Sequence, residues 1–222
     1  VGRCLFTAGN LFCGFLALTR IVEADLSQGY GPIQEALLLI LLACIFDALD
    51  GRVARMGGYE SPFGREFDSL ADIVSFGVAP AFLVHRVVLK DVFGAHAEIG
   101  WFIASIYVIC GALRLARFNC LAAMPDRDND KEFIGFPIPA AAGLVASVTL
   151  FLIWMETNKY VAPVNWKYAL PILLVFLSIM MVSRVKYPTF KRIDWRAPRS
   201  FAKMVVATLV VGFLFTVGRR YL

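Results

Sequence analysis

Four aspartates, Asp47, Asp50, Asp68 and Asp72, fall within 26 residues of an otherwise oily chain. Carboxylates gathered this closely repel one another, so keeping them ionised needs a counter-charge. Protons can supply it, as in a carrier relay. Divalent cations can also supply it, and all-carboxylate oxygen ligation suits Mg²⁺ or Mn²⁺. Two such ions ~3.5–4 Å apart make a site for phosphoryl chemistry. The neighbouring residues favour metal. Gly51 follows Asp50 and Ala54 precedes Arg55, so a phosphate can approach a small-residue face and meet a guanidinium there. Ser61 adds a hydroxyl, and Gly64 clears the start of the next segment. A cation carrier, the rival from a different class, would place its acids near the bilayer midplane; these acids sit near helix ends.

The spacing specifies the elements that must hold them. Asp47 and Asp50 stand at i and i+3, Asp68 and Asp72 at i and i+4, so each pair shares one helix face. "MGGYESPF" between the pairs contains Gly57, Gly58 and Pro62, which is turn chemistry. A helix over 33–55 and a second over 64–89, antiparallel and joined by a short loop, bring all four acids into one cavity at a membrane edge.

The rest of the chain is built for a bilayer. Of 222 residues, 59% are hydrophobic and 18% charged, against roughly 25% charged in soluble domains. The mean hydropathy is +0.69. Apolar runs at 4–24, 33–51, 67–89, 99–119, 137–157, 167–183 and 203–218 approach the ~20 residues needed to span the hydrocarbon core. They lack the period-2 alternation of a barrel, so they are helices. The expectation is one all-α domain over 1–222, a polytopic transmembrane bundle of about seven spans (six to eight). With the N-terminus in the cytoplasm, 15 Lys and Arg fall on the cytoplasmic side and seven on the other, which places the acids at the cytoplasmic edge. Arg219 and Arg220 sit on the wrong side of that count. The net charge of +5 does not form a patch on a soluble fold, so nucleic acid is not expected as a partner.

Cys4, Cys13, Cys44, Cys110 and Cys120 stand singly in or beside spans and read as small packing residues. His85 and His96 read as surface residues away from the acids. Pro137 and Pro139 mark the entry to the fifth span, where Ala140, Ala141, Ala142 and Gly143 permit close helix packing. The basic, aromatic stretch 183–200 reads as a connector on anionic headgroups. Arg114 and Arg117, at i and i+3 near a helix end, suit an anion, with Asn119 as companion; the competing reading is ordinary snorkelling. The chain opens with Val1 directly in a span, which suggests a trimmed product.

The pattern Asp-x-x-Asp-Gly-x-x-Ala-Arg, eight residues, Gly-x-x-x-Asp-x-x-x-Asp is met without a gap by Asp47, Asp50, Gly51, Ala54, Arg55, Gly64, Asp68 and Asp72. It resembles the signature of the CDP-alcohol phosphotransferases. The resemblance implies an integral membrane enzyme, usually a homodimer, that displaces CMP from a CDP-linked substrate with an alcohol. It implies two divalent cations, Mg²⁺ or Mn²⁺, on Asp47, Asp50 and Asp68, with Asp72 a ligand or the general base. By the same resemblance Gly51, Arg55 and Ser61 contact the CDP-linked lipid, while Thr7 and Asn10 help hold the nucleotide. For Asn10 the alternative is a bond to a neighbouring helix. "GNLFCGF", "FDSLADIVSFGVAPA", "RLARFN", "GFPIPAAAG" and "MVSRVKYPTFK" are similar, in order, to the bacterial phosphatidylserine synthase branch. That implies CDP-diacylglycerol and L-serine as substrates and the bacterial inner membrane as location. Another acceptor, glycerol 3-phosphate or an inositol phosphate, remains open within the same chemistry.

Overall fold

In the computed structural model, residues 2–27, 29–57, 62–122, 135–158 and 168–183 are described. They form six helices: α1 Gly2–Glu23, α2 Gly31–Gly57, α3 Pro62–Val92, α4 Ala97–Ala122, α5 Ile138–Thr157 and α6 Ala169–Val182. No strand occurs among the described residues. Five of the helices are long and apolar enough to cross a membrane, and α6, at 14 residues, is shorter. The expected spans agree with these helices to within a few residues. The seventh, 203–218, lies outside the described residues, as does the basic stretch beyond Ser183.

Two helices exceed what a bilayer requires. The 27 residues of α2 and the 31 of α3 extend about 40 and 46 Å at 1.5 Å per residue, against a hydrocarbon core of ~30 Å. The surplus of α3 is its amphipathic first segment, Pro62–Asp72. Asp68 and Asp72 therefore lie on the part of α3 that exceeds a bilayer's needs, and Asp47 and Asp50 lie in the second half of α2.

Polar contacts fix the up-and-down order. Thr7 near the start of α1 bonds Asp50 near the end of α2, and Asn119 near the end of α4 bonds Glu66 and Ser69 near the start of α3. Phe136 N, before α5, donates to Met180 O near the end of α6 at 3.2 Å. Starts and ends thus alternate at one end of the bundle. At the other end, Arg86 of α3 donates to Ala24 O after α1, and Arg20 pairs with Glu35 of α2. Burial, then the Glu156 charge and hydrogen bond, push the Tyr30 phenol there up to about 12.

Helix α3 is the centre of the bundle. It turns π-helical at Ile73–Val78 and His85–Leu89, with Pro80 between. Proline has no N–H, so α3 lacks a backbone donor at residue 80, about one helical turn beyond Phe76 O. The buried Tyr107 hydroxyl of α4 donates to that oxygen at 3.2 Å, which satisfies two groups at once. Beside it, a Cβ on Gly111 would stand 2.5 Å from Ile138 Cδ1, and one on Gly77 2.8 Å from Ile73 Cδ1. The missing side chain at Gly111 lets α4 and α5 meet, and that at Gly77 leaves room for Ile73 on α3 itself. Ala140, Ala141 and Ala142 are buried as expected. Gly143 departs from expectation: a Cβ there meets nothing within 4 Å among the described residues.

The chain enters α5 through Gly135, at φ +86, where a Cβ would lie 2.6 Å from Met181 O. Only glycine fits that approach. Cys13 and Cys44 are buried packing residues, Cys110 is half-buried, and Cys120 is exposed; the Cys4 side chain lies outside the described residues. His96 is exposed, whereas His85 is half-buried and stacked on Phe82 within α3.

Candidate active site

At the end of the bundle where α2 finishes and α3 begins, carboxylate oxygens of Asp47, Asp68 and Asp72 all lie within 4.8 Å of one another. Asp47 comes from the last turns of α2. Asp68 and Asp72 come from successive turns of the amphipathic start of α3. Asp72 is buried, and the other two are half-buried. Three hard oxygen donors converging at this separation fit a divalent cation.

The fourth acid, Asp50, is buried but is not in that trio. Its Oδ2 accepts a hydrogen bond from the Thr7 hydroxyl of α1. One turn along α1, Asn10 Nδ2 donates to Asp72 Oδ1 at 3.1 Å. Both residues that the resemblance assigns to the nucleotide are thus turned onto aspartates.

Arg114 of α4 faces the cluster, and its charge acts on Asp72 and Asp47. Its Nε is buried with no hydrogen-bond partner among the described residues. Arg117 is placed elsewhere: its guanidinium donates to Val182 O at 3.3 Å, capping the end of α6. Three residues on a helix is a 60° offset, enough to send the two arginines to different neighbours. Asn119 likewise bonds Glu66 Oε2 at 3.1 Å and Ser69 Oγ at 2.9 Å, joining α4 to α3 rather than attending Arg114. A Cβ on Gly51 would meet nothing within 4 Å among the described residues. Ser61 and the Arg55 side chain lie outside the described residues.

Two residues escape the sequence reading. Ser75 Oγ donates to the Asn10 backbone oxygen at 3.0 Å, and Tyr107 closes the π-helical turn just beyond Asp72. Pro80, four residues after Phe76, was the available signal for Tyr107, since it removes a backbone donor from that turn. Nothing comparable marks Ser75.

An apolar helical bundle carrying a carboxylate cradle at one end, with an arginine against it, has the parts a membrane-embedded phosphoryl-transfer enzyme needs. The family model for CDP-alcohol phosphatidyltransferase matches residues 4–180, and the chain is a member of that family. It is 37% identical over 206 residues to the CDP-diacylglycerol--serine O-phosphatidyltransferase of Helicobacter pylori, covering 93% of this chain and 79% of the relative. The enzyme of that name from Bacillus subtilis is 36% identical, covering 85% and 90%. The archaetidylserine synthase of Methanothermobacter thermautotrophicus is 34% identical, covering 78% and 70%.

Proposed function

We propose that this protein transfers the phosphatidyl group of CDP-diacylglycerol to L-serine, giving phosphatidylserine and CMP. The observation that carries the reading is the convergence of Asp47, Asp68 and Asp72 in a chain of this family. Asp47, Asp50, Asp68 and Asp72 would hold two divalent cations, Mg²⁺ or Mn²⁺, which when bound supply positive charge to the pyrophosphate of the donor. The remaining chemistry belongs to side chains. Asp72 takes the proton of the serine hydroxyl, and the serine oxygen forms its bond to the phosphorus that carries diacylglycerol. The bond from that phosphorus to the bridging oxygen breaks, and CMP leaves with the electron pair. Aspartate is a weak base, with a reference pKa of ~3.9, so it acts on a hydroxyl already acidified in the transition state.

Gly51, Arg55 and Ser61 are the contacts to the nucleotide-side phosphate. Arg114 receives an anion, either the serine carboxylate or the lipid phosphate. The engagement of Arg117 with Val182 O supports an acceptor with a single carboxylate over a phosphorylated alcohol, because only one arginine of that pair remains beside the acids. The distribution of Lys and Arg supports a site facing the cytoplasm. The enzyme is read as a homodimer of the bacterial inner membrane.

The test is CMP release by purified protein given CDP-diacylglycerol and Mg²⁺ or Mn²⁺, with L-serine, glycerol 3-phosphate and inositol phosphate offered in parallel. Release with serine alone, abolished by chelator, is expected. Release only with a phosphorylated alcohol overturns the choice of acceptor. No release with any acceptor, together with cation flux into liposomes, overturns the enzyme reading in favour of a carrier.

A further inference from the structure

The first helix carries none of the signature aspartates, yet it makes buried hydrogen bonds to two of them. Thr7 bonds Asp50 across 43 residues of sequence, and Asn10 bonds Asp72 across 62. Thr7 and Asn10 stand at i and i+3 on one face of α1, and both are buried. The Asn10 amide has one workable orientation, since turning it over would set its oxygen against the Asp72 carboxylate. In this orientation Asn10 Oδ1 is buried with no hydrogen-bond partner among the described residues. Leaving a buried acceptor unsatisfied is unfavourable, so the bond to Asp72 is kept against a local penalty.

The register of α1 against α3 is fixed at the next turn. A Cβ on Gly14 would lie 2.2 Å from Ser75 Oγ and 2.7 Å from Ser75 Cα, so the helices touch backbone to side chain there. Ser75 Oγ donates to Asn10 O at the same seam. Thr7, Asn10 and Gly14 form one stripe, and its close contact sets the height at which the two polar side chains reach the acids.

A carboxylate ligand is free to rotate about its terminal bond. A donor on one oxygen removes that freedom, and such partners of metal ligands govern metal affinity. We propose that Thr7 and Asn10 are positioning residues: Asn10 holds Asp72 within the trio that would bind a divalent cation, and one turn earlier on α1 Thr7 fixes the carboxylate of Asp50 beside it. The inference rests on the metal-dependent reading of the aspartate site, and it gives α1 a role other than contact with the nucleotide.

The experiment is Mn²⁺ binding to purified protein without substrate, followed by the electron paramagnetic resonance of free Mn²⁺. The proteins compared are wild type, Asp68→Asn, Thr7→Val, Thr7→Ser and Asn10→Leu. Val and Leu keep the packing volume and delete the polar group, and Ser restores the hydroxyl. Thr7→Val and Asn10→Leu should bind Mn²⁺ about 10–100-fold more weakly, the usual range for partners of metal ligands, with Thr7→Ser near wild type. A purely packing role would lower the melting temperature of these variants and leave Mn²⁺ affinity alone. Wild-type Mn²⁺ affinity in both variants, with binding lost in Asp68→Asn, overturns this inference while sparing the metal site. Wild-type Mn²⁺ affinity, with weakened CDP binding when CDP is then titrated into the same proteins, overturns the inference and returns Thr7 and Asn10 to the nucleotide. Absence of Mn²⁺ binding by wild type overturns the metal reading and this inference with it.

Discussion

At the aspartate end of the bundle, Thr7, Asn10, Asp50 and Asp72 make their interhelical hydrogen bonds while buried. At the opposite end, Arg20 pairs with Glu23 at 3.6 Å and with Glu35 at 3.3 Å, and those three side chains are 46%, 66% and 60% exposed. Both ends tie α1 to its neighbours through polar groups. The difference lies in what happens when a partner is removed. Water replaces a lost partner at an exposed pair, so such pairs contribute ~0–1 kcal/mol. A buried group has no such replacement, so its partner determines where it points. The aspartate end is therefore built for orientation, and the far end contributes modest adhesion.

The largest effect expected from breaking this contrast is Asp72→Asn. Loss of the base should lower kcat by about 10²–10⁴-fold at saturating Mn²⁺, and loss of a cation ligand should raise the Mn²⁺ concentration that gives half-maximal turnover. A turnover close to wild type would remove Asp72 from that role.

Why the aspartates were legible and their supports were not follows from what spacing encodes. Periods of three and four residues place Asp47 with Asp50, and Asp68 with Asp72, on shared faces whatever surrounds them. Apolar run length likewise marks the helices. Spacing along one helix does not say which neighbour a face meets. Arg114 and Arg117 look equivalent in sequence, yet one faces acids and the other caps α6, because the 60° between them spans the boundary between two neighbours. Asp50 is half of an evident pair, but its orientation depends on Thr7, 43 residues earlier. Gly14 was visible within "GNLFCGF", though its reason, the contact with Ser75, appears only when α1 and α3 are packed together.

Smaller effects grade that contrast. Gly14→Ala forces a Cβ into Ser75, and overpacking of this kind costs ~1–3 kcal/mol. The melting temperature in detergent and CMP release should fall together as α1 is pushed off α3. Loss of stability with full activity would show that α1 does not set the site. Tyr107→Phe leaves Phe76 O without its outside donor next to the π-helical turn, at a cost of ~1–3 kcal/mol. Thermal unfolding should register that loss, and an unchanged midpoint would mean the carbonyl finds another donor. Arg20→Ala at the far end should move the midpoint by no more than ~1 kcal/mol equivalent and leave CMP release intact. A large loss of activity there would erase the distinction between the two ends.

The most direct test of the central claim follows radiolabelled L-serine into lipid in proteoliposomes containing CDP-diacylglycerol and Mg²⁺ or Mn²⁺, comparing wild type, Arg20→Ala and Asp68→Asn. The account predicts chloroform-soluble label equimolar with released CMP in wild type and Arg20→Ala. It also predicts a fall to background in Asp68→Asn and in wild type treated with chelator. Label entering lipid at the wild-type rate in Asp68→Asn would contradict it, because the transfer would then be running without the aspartate cradle.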